Sequence, residues 1–132
     1  MKGIAFYLGL GCLFTHELDA TLNHEWRVLP LLRALPDEVG RSWFIALHVP
    51  LFAVIVAWVA HTQPRTRLAV RVILSLFLVV HALLHWLLSG DANYEFASRL
   101  SHGLIYGGAV FGGVFLLLWA FDVRERFHDS RV

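Results

Sequence analysis

His81-Ala82-Leu83-Leu84-His85 sets two imidazoles four residues apart, a spacing that brings both onto one face of a helix. His16 and Asp19, three apart, share a face in the same way, and Asn23 extends that stripe. Neutral imidazole is a ligand for zinc, copper, iron and nickel, and a nearby carboxylate completes such a set or orients one of its members. The candidate metal ligands are His16, Asp19, His48, His81, His85 and His102. His48 stands two residues before Pro50, so its ring is either a fourth ligand or a partner for backbone that the proline leaves unpaired. Glu17 lies about 100° from His16 around a helix. With Asp19 it forms the pair of candidate catalytic carboxylates, Glu17 as a second partner of the metal site or as a base. His24, Glu25 and His102 fall at the rim, where ligation and simple solvation are both open. Asp37, Glu38, Asp91 and Glu95 read as solvated loop charges.

The elements that must position these groups are lipid-like. Of the 132 residues, 58% are apolar and 16% charged, against about a quarter charged in soluble domains. A net charge of +1 argues against nucleic acid as a partner. The single cysteine, Cys12, excludes an internal disulfide and a cysteine-rich zinc motif. A membrane helix needs about 20 mostly apolar residues, and four segments supply them, roughly residues 4–23, 43–61, 68–89 and 99–121. Lys2 and the apolar run after it look like a secretion signal, but no small-x-small cleavage pattern follows, so a retained helix is expected. The predicted fold is all-α: a four-transmembrane-helix bundle making one integral membrane domain over residues 1–132. A short interfacial segment is expected between helices 1 and 2, bounded by Pro30 and Pro36.

Sidedness follows from the basic residues. Four spans gather Lys2, Arg65, Arg67, Arg71, Arg124, Arg126 and Arg131 on one side. Arg27, Arg33, Arg41 and Arg99 on the other are offset by acids. The basic excess marks the cytoplasmic face, which predicts both termini inside and residence in the cytoplasmic membrane. Counted from the opposite end, His16 lies roughly 10 Å deep, His48 about 8 Å, His81 about 12 Å, His85 about 6 Å and His102 about 5 Å. One outer layer thus collects imidazoles from every helix, while His61 and His128 fall on the inner side. An ionisable group in hydrocarbon costs several kcal/mol unless paired, hydrated or bound to a cation. On the last helix, Gly107, Gly108, Gly112 and Gly113 form a small-xxx-small pattern. That pattern predicts close packing within the bundle or a homo-oligomer interface, with Gly9 and Gly11 as a complementary surface.

The run His16-Glu17-Leu18-Asp19-Ala20, followed by His24-Glu25-Trp26, His48-Val49-Pro50 and the His81/His85 pair, resembles an uncharacterised family of small bacterial four-helix membrane proteins over nearly the whole chain. More loosely, it is similar to the membrane family named for a His-x-x-Glu-Glu motif, with Asp19 and Ala20 where that motif carries two glutamates. Neither resemblance implies an activity. As a chemical analogy, the His-x-x-x-His pair with a further His and an Asp is similar to the ligand set of membrane zinc hydrolases of the alkaline ceramidase type.

Three ligands and an open position would let zinc lower the pKa of a bound water to about 7. The reading is therefore a membrane-embedded metal-binding protein, a metal-dependent hydrolase acting on a lipid or small amphipathic substrate near the outer face. Zinc is the first cofactor expected, with iron or haem as alternatives. The corresponding functional alternatives are a di-iron oxidase or hydroxylase, a b-type haem protein, and a non-enzymatic metal-handling or accessory subunit. A lone His-x-x-x-His box without His-x-x-His-His weighs against the di-iron centre, and haem gives no role to Asp19 and Glu17.

Overall fold

The computed structural model describes the backbone of residues 1–129 and the side chains of residues 1–124. The side chains of Arg126 and Arg131, used above to assign sides, and of His128, placed above on the inner side, lie outside that described set. Four helices follow the four apolar stretches: α1 (Lys2–Leu22), α2 (Asp37–Val59), α3 (Pro64–Leu88) and α4 (Arg99–Asp129). Two short 3-10 turns, Glu25–Arg27 and Leu32–Ala34, occupy the α1–α2 connection. The second falls between Pro30 and Pro36, where a short segment was expected.

Local chemistry explains the boundaries. Pro64 opens α3, where its fixed φ suits a first helical position and its missing N–H costs nothing. Asp37 and Glu38 fill the first turn of α2 and face the positive end of its dipole. At the start of α4, the Ser98 hydroxyl accepts the Ser101 N–H at 2.9 Å, a side-chain cap on an otherwise orphaned donor.

By length and composition, α2, α3 and α4 can cross a membrane. Their most apolar windows are only 17% to 28% buried within the chain, so most of that surface requires an apolar surround, which is the chemistry of a lipid-facing helix. The first helix is interrupted by His16, Glu17 and Asp19, and its polar groups turn inward: His16 and Asp19 are buried.

The core of the bundle is α4 lying antiparallel between α1 and α3. Small residues permit this approach. A β-carbon added to Gly9 would meet the Leu78 side chain at 2.8 Å, and one added to Gly112 would meet the Ser75 carbonyl at 2.7 Å. Gly107 and Gly108 face Cys12, whereas Gly11 and Gly113 face open space. Part of the predicted small-residue surface thus packs inside the bundle. The remaining helix, α2, attaches through the two 3-10 turns and α3. One apolar cluster, around Phe6, Leu10, Leu13, Leu78 and Phe115, fills the end of the bundle near the N-terminus. A second, around Ala20, Trp26, Phe44, Ala82, Phe96 and Ile105, fills the other. At that second end His24 meets Glu95 at 2.8 Å, Arg27 meets Glu95 at 3.1 Å and Arg33 meets Asp91 at 3.3 Å, tying the α1–α2 connection to the α3–α4 connection. At the first end Lys2 pairs with Asp122.

Candidate metal centre

The site begins with how α1 stops. The backbone N–H and the side-chain amide of Asn23 both donate to the Asp19 carbonyl, at 2.9 and 2.8 Å. His24 then takes a left-handed backbone conformation, φ 50°, which is uncommon for any residue with a β-carbon. The chain reverses there into the Glu25–Arg27 turn, and the reversal returns Glu25 to the bundle. Its neighbours hold it in place. Trp26 is buried and donates its indole N–H to Asp37 at 3.0 Å. Arg27 donates to Asp37 at 2.8 Å and to Glu95. Gly40 leaves room for the Trp26 ring, since a β-carbon there would sit 3.1 Å from it.

Beneath this strap three imidazoles converge. His16 comes from α1, and His81 and His85 from successive turns of α3. The ring centroids lie 4.8 Å apart for His16 and His81, 4.8 Å for His16 and His85, and 4.5 Å for His81 and His85. The Nε2 atoms of His81 and His85 are 3.2 Å apart. The Glu25 carboxylate reaches His16 Nε2 at 3.6 Å with one oxygen and His85 Nε2 at 3.8 Å with the other. One donor atom from each of the four residues lies within 4.8 Å of all the others. Ligands at about 2.0–2.1 Å from one tetrahedral ion stand about 3.4 Å from each other, so these spacings bracket what a single cation imposes. Two members of the set also lack any hydrogen bond there: neither His16 nitrogen nor Oε2 of Glu25 has a hydrogen-bond partner among the described residues. Buried polar atoms are rarely left so. A divalent transition ion fits this set, and the donors do not distinguish which one.

The surroundings shield and orient the rings. Phe96 packs against His16 and His85, and Phe77 stacks on His81. Tyr94 places its hydroxyl 3.2 Å from His85 Nδ1, the outer contact that fixes a ligating ring when its other nitrogen binds metal. Burial pushes the Tyr94 phenol up to about 12, so it keeps its proton throughout the neutral range. Burial also raises the Glu25 carboxyl, but the His16 imidazole, with His85 and His81 behind it, more than offsets this and holds Glu25 below the ordinary carboxylate value. A carboxylate in its charged form is the form that ligates a cation.

Of the candidates read from the sequence, the structure therefore brings together His16, His81 and His85. Asp19 is buried nearby on α1, with Oδ2 unpartnered among the described residues, but it stands outside the convergent group. His48 is engaged elsewhere, its Nδ1 donating to the Phe44 carbonyl at 2.6 Å and its Nε2 lying 2.7 Å from Glu17 Oε2. That carbonyl is not the one Pro50 leaves free, which belongs to Ala46, four residues before it. Glu17 accordingly has an imidazole partner of its own. His102 is exposed, near Tyr106, and His24 is paired with Glu95. Glu25 is the member that depth counting places at the rim. Its one sequence signal is a carboxylate set directly beside a large aromatic, Trp26, in the long apolar-rich connection between α1 and α2.

A family model matches residues 2–121. The chain belongs to the family of unknown function DUF6713. No curated protein and no solved structure matches it. Function therefore rests on the geometry of the convergent donors.

Proposed function

We infer that the protein is a four-span membrane metalloprotein that holds one divalent transition ion through His16, His81, His85 and Glu25, zinc first among the candidates, and uses it to hydrolyse a lipid or other amphipathic substrate. The observation that carries the reading is the convergence of four donor atoms within 4.8 Å of one another in a buried layer of apolar helices. Three of the four residues stand on long packed helices, which keeps their placement rigid, and the fourth stands on a three-residue turn. Glu25 is thus the donor best able to yield its position to water, leaving the three-histidine set with an open site that hydrolytic zinc centres use. A bound zinc ion would supply Lewis-acid chemistry there. Asp19 and Glu17, the latter paired with His48 of α2, are the polar groups adjoining the ligands along α1, and Glu17 is the candidate base.

Four donors also suffice to saturate a tetrahedral ion, and this favours a second reading, a closed site that stores or passes on metal without turnover. One experiment addresses both. Protein purified without chelators is assayed for metal content and for release of fatty acid or headgroup from a panel of membrane lipids, beside the His81→Ala/His85→Ala double variant. Stoichiometric metal with variant-sensitive hydrolysis supports the enzyme. Stoichiometric metal without hydrolysis supports the closed site. A folded protein that takes up no transition metal defeats both.

A further inference from the structure

At the opposite end of the bundle, α3 carries Arg67 and Arg71 four residues apart, hence on one face. Arg71 lies inside a helix long and apolar enough to cross a membrane, about 10 Å along it from Pro64. Arg67 donates to the His61 carbonyl at 3.3 Å. Arg71 donates to the Tyr7 hydroxyl at 2.9 Å, and its guanidinium lies 5.3 Å from the ring centroids of both Phe6 and Tyr7. Among the described residues neither arginine forms an ion pair with a carboxylate. Arg71 Nε is buried with no hydrogen-bond partner, and so is the hydroxyl of Ser75, one turn further along the same helix. An arginine cannot discard its proton, so at membrane depth it requires a counter-charge that the described residues do not supply. Cation–π contact with two rings screens the charge only in part.

We propose that Arg71 and Tyr7, with Arg67 one turn below, form a binding site for the phosphate of an anionic phospholipid. Guanidinium matches phosphate through paired N–H donors, and basic pockets between transmembrane helices recognise phospholipid headgroups in this way. The site opens sideways into lipid: Tyr7 is 53% exposed and its neighbour Ile4 67%. Access from the bilayer selects a lipid phosphate over a soluble one. The site lies at the far end of the bundle from the histidines, so it stands or falls independently of any metal.

The test reconstitutes the full chain in nanodiscs of phosphatidylcholine containing a small fraction of phosphatidylglycerol. Lipid co-purifying after transfer to detergent is then quantified by native mass spectrometry. The unmodified protein should retain phosphatidylglycerol with roughly tenfold preference, a preference that Arg71→Gln abolishes and Tyr7→Phe weakens by about threefold. Arg71→Lys, which keeps the charge but loses the fork, should fall between. Inorganic phosphate added to the detergent sample should compete only at millimolar or higher levels, and efficient competition below that would overturn the assignment to lipid. Equal retention of both lipids by the unmodified protein, or unchanged preference in folded Arg71→Gln, would overturn the site. If Arg71→Gln does not fold, unchanged preference in Tyr7→Phe and Arg71→Lys together has the same force.

Discussion

The Nε2 atoms of His81 and His85 face each other 3.2 Å apart. At that distance two neutral rings can share one proton and no more. If Tyr94 donates to His85 Nδ1, the His85 Nε2 proton points at His81; a cation between the rings removes that proton and turns the Tyr94 contact around, with His85 Nδ1–H donating to the phenol oxygen. Loss of both rings should therefore release the ion. The His81→Ala/His85→Ala variant is expected to lose metal affinity by more than the roughly 10–100-fold that outer-shell changes cost, measured by competition with a chromogenic chelator. Retention of stoichiometric metal would mean that the ion sits elsewhere.

Tyr94→Phe isolates the outer contact. It removes one hydroxyl, 3.2 Å from His85 Nδ1, and leaves every proposed ligand in place. Metal affinity should fall by about tenfold, toward the lower end of the range for such partners, while the fold persists. An unchanged affinity would reduce Tyr94 to a packing residue beside Phe96.

The strap that carries Glu25 has its own acid sensitivity. The His24 ring beside Glu95, together with Arg27, holds the Glu95 carboxyl below its ordinary value. A carboxyl whose folded value is depressed binds fewer protons folded than unfolded, so its stabilisation is present above the unfolded value of about 4.3 and is lost as pH falls through the folded one. The melting temperature in detergent should drop across that acid window, and Glu95→Gln should remove part of the drop and lower the value at neutral pH. Identical acid profiles for the two proteins would sink the linkage.

Sequence periodicity reached the histidine face of α3 because one helix carries both residues, and depth counting reached His16 because α1 runs as one continuous helix from Lys2 to Leu22. Glu25 escaped because counting extends a helix along its axis, whereas Asn23 caps α1 and the left-handed His24 folds the chain back over it. His102 shows the limit of depth alone. Its height suited the layer, but Ser101 and Ile105 are the buried residues at that end of α4, and a residue about 100° round from Ser101 faces outward. The partner of Glu17 was likewise hidden, because nothing in a single helix states that α2 lies on that side.

Glu17 and His48 supply a direct polar tie between α1 and α2 in that arrangement, 2.7 Å apart, both largely shielded. Removing either partner alone strands the other, at a cost of roughly 1–3 kcal/mol. Removing both should cost less than the sum of the singles, with a coupling of about 0.5–3 kcal/mol in a double-mutant cycle of Glu17→Ala and His48→Ala. Strict additivity would show that the pair contributes no tie.

The tightest contact of a glycine with a neighbouring helix gives the sharpest packing prediction. An alanine at Gly112 would bring its β-carbon to 2.7 Å from the Ser75 carbonyl and 3.2 Å from the Leu78 β-carbon. Neither is the free end of a flexible side chain, so α3 and α4 must move apart. Overpacking of this kind costs typically 1–3 kcal/mol, offset by only about 1 kcal/mol of helix propensity gained on replacing glycine. Gly112→Ala should therefore lower the melting temperature in detergent. Gly113→Ala is the matched control, one residue along the same helix with open space around its β-carbon, where the propensity gain acts alone. It should leave stability unchanged or raise it slightly. The opposite order, with Gly113 the costly position, would mean that α4 presents a different face to α3 than the one described and that its glycines serve a contact outside the chain.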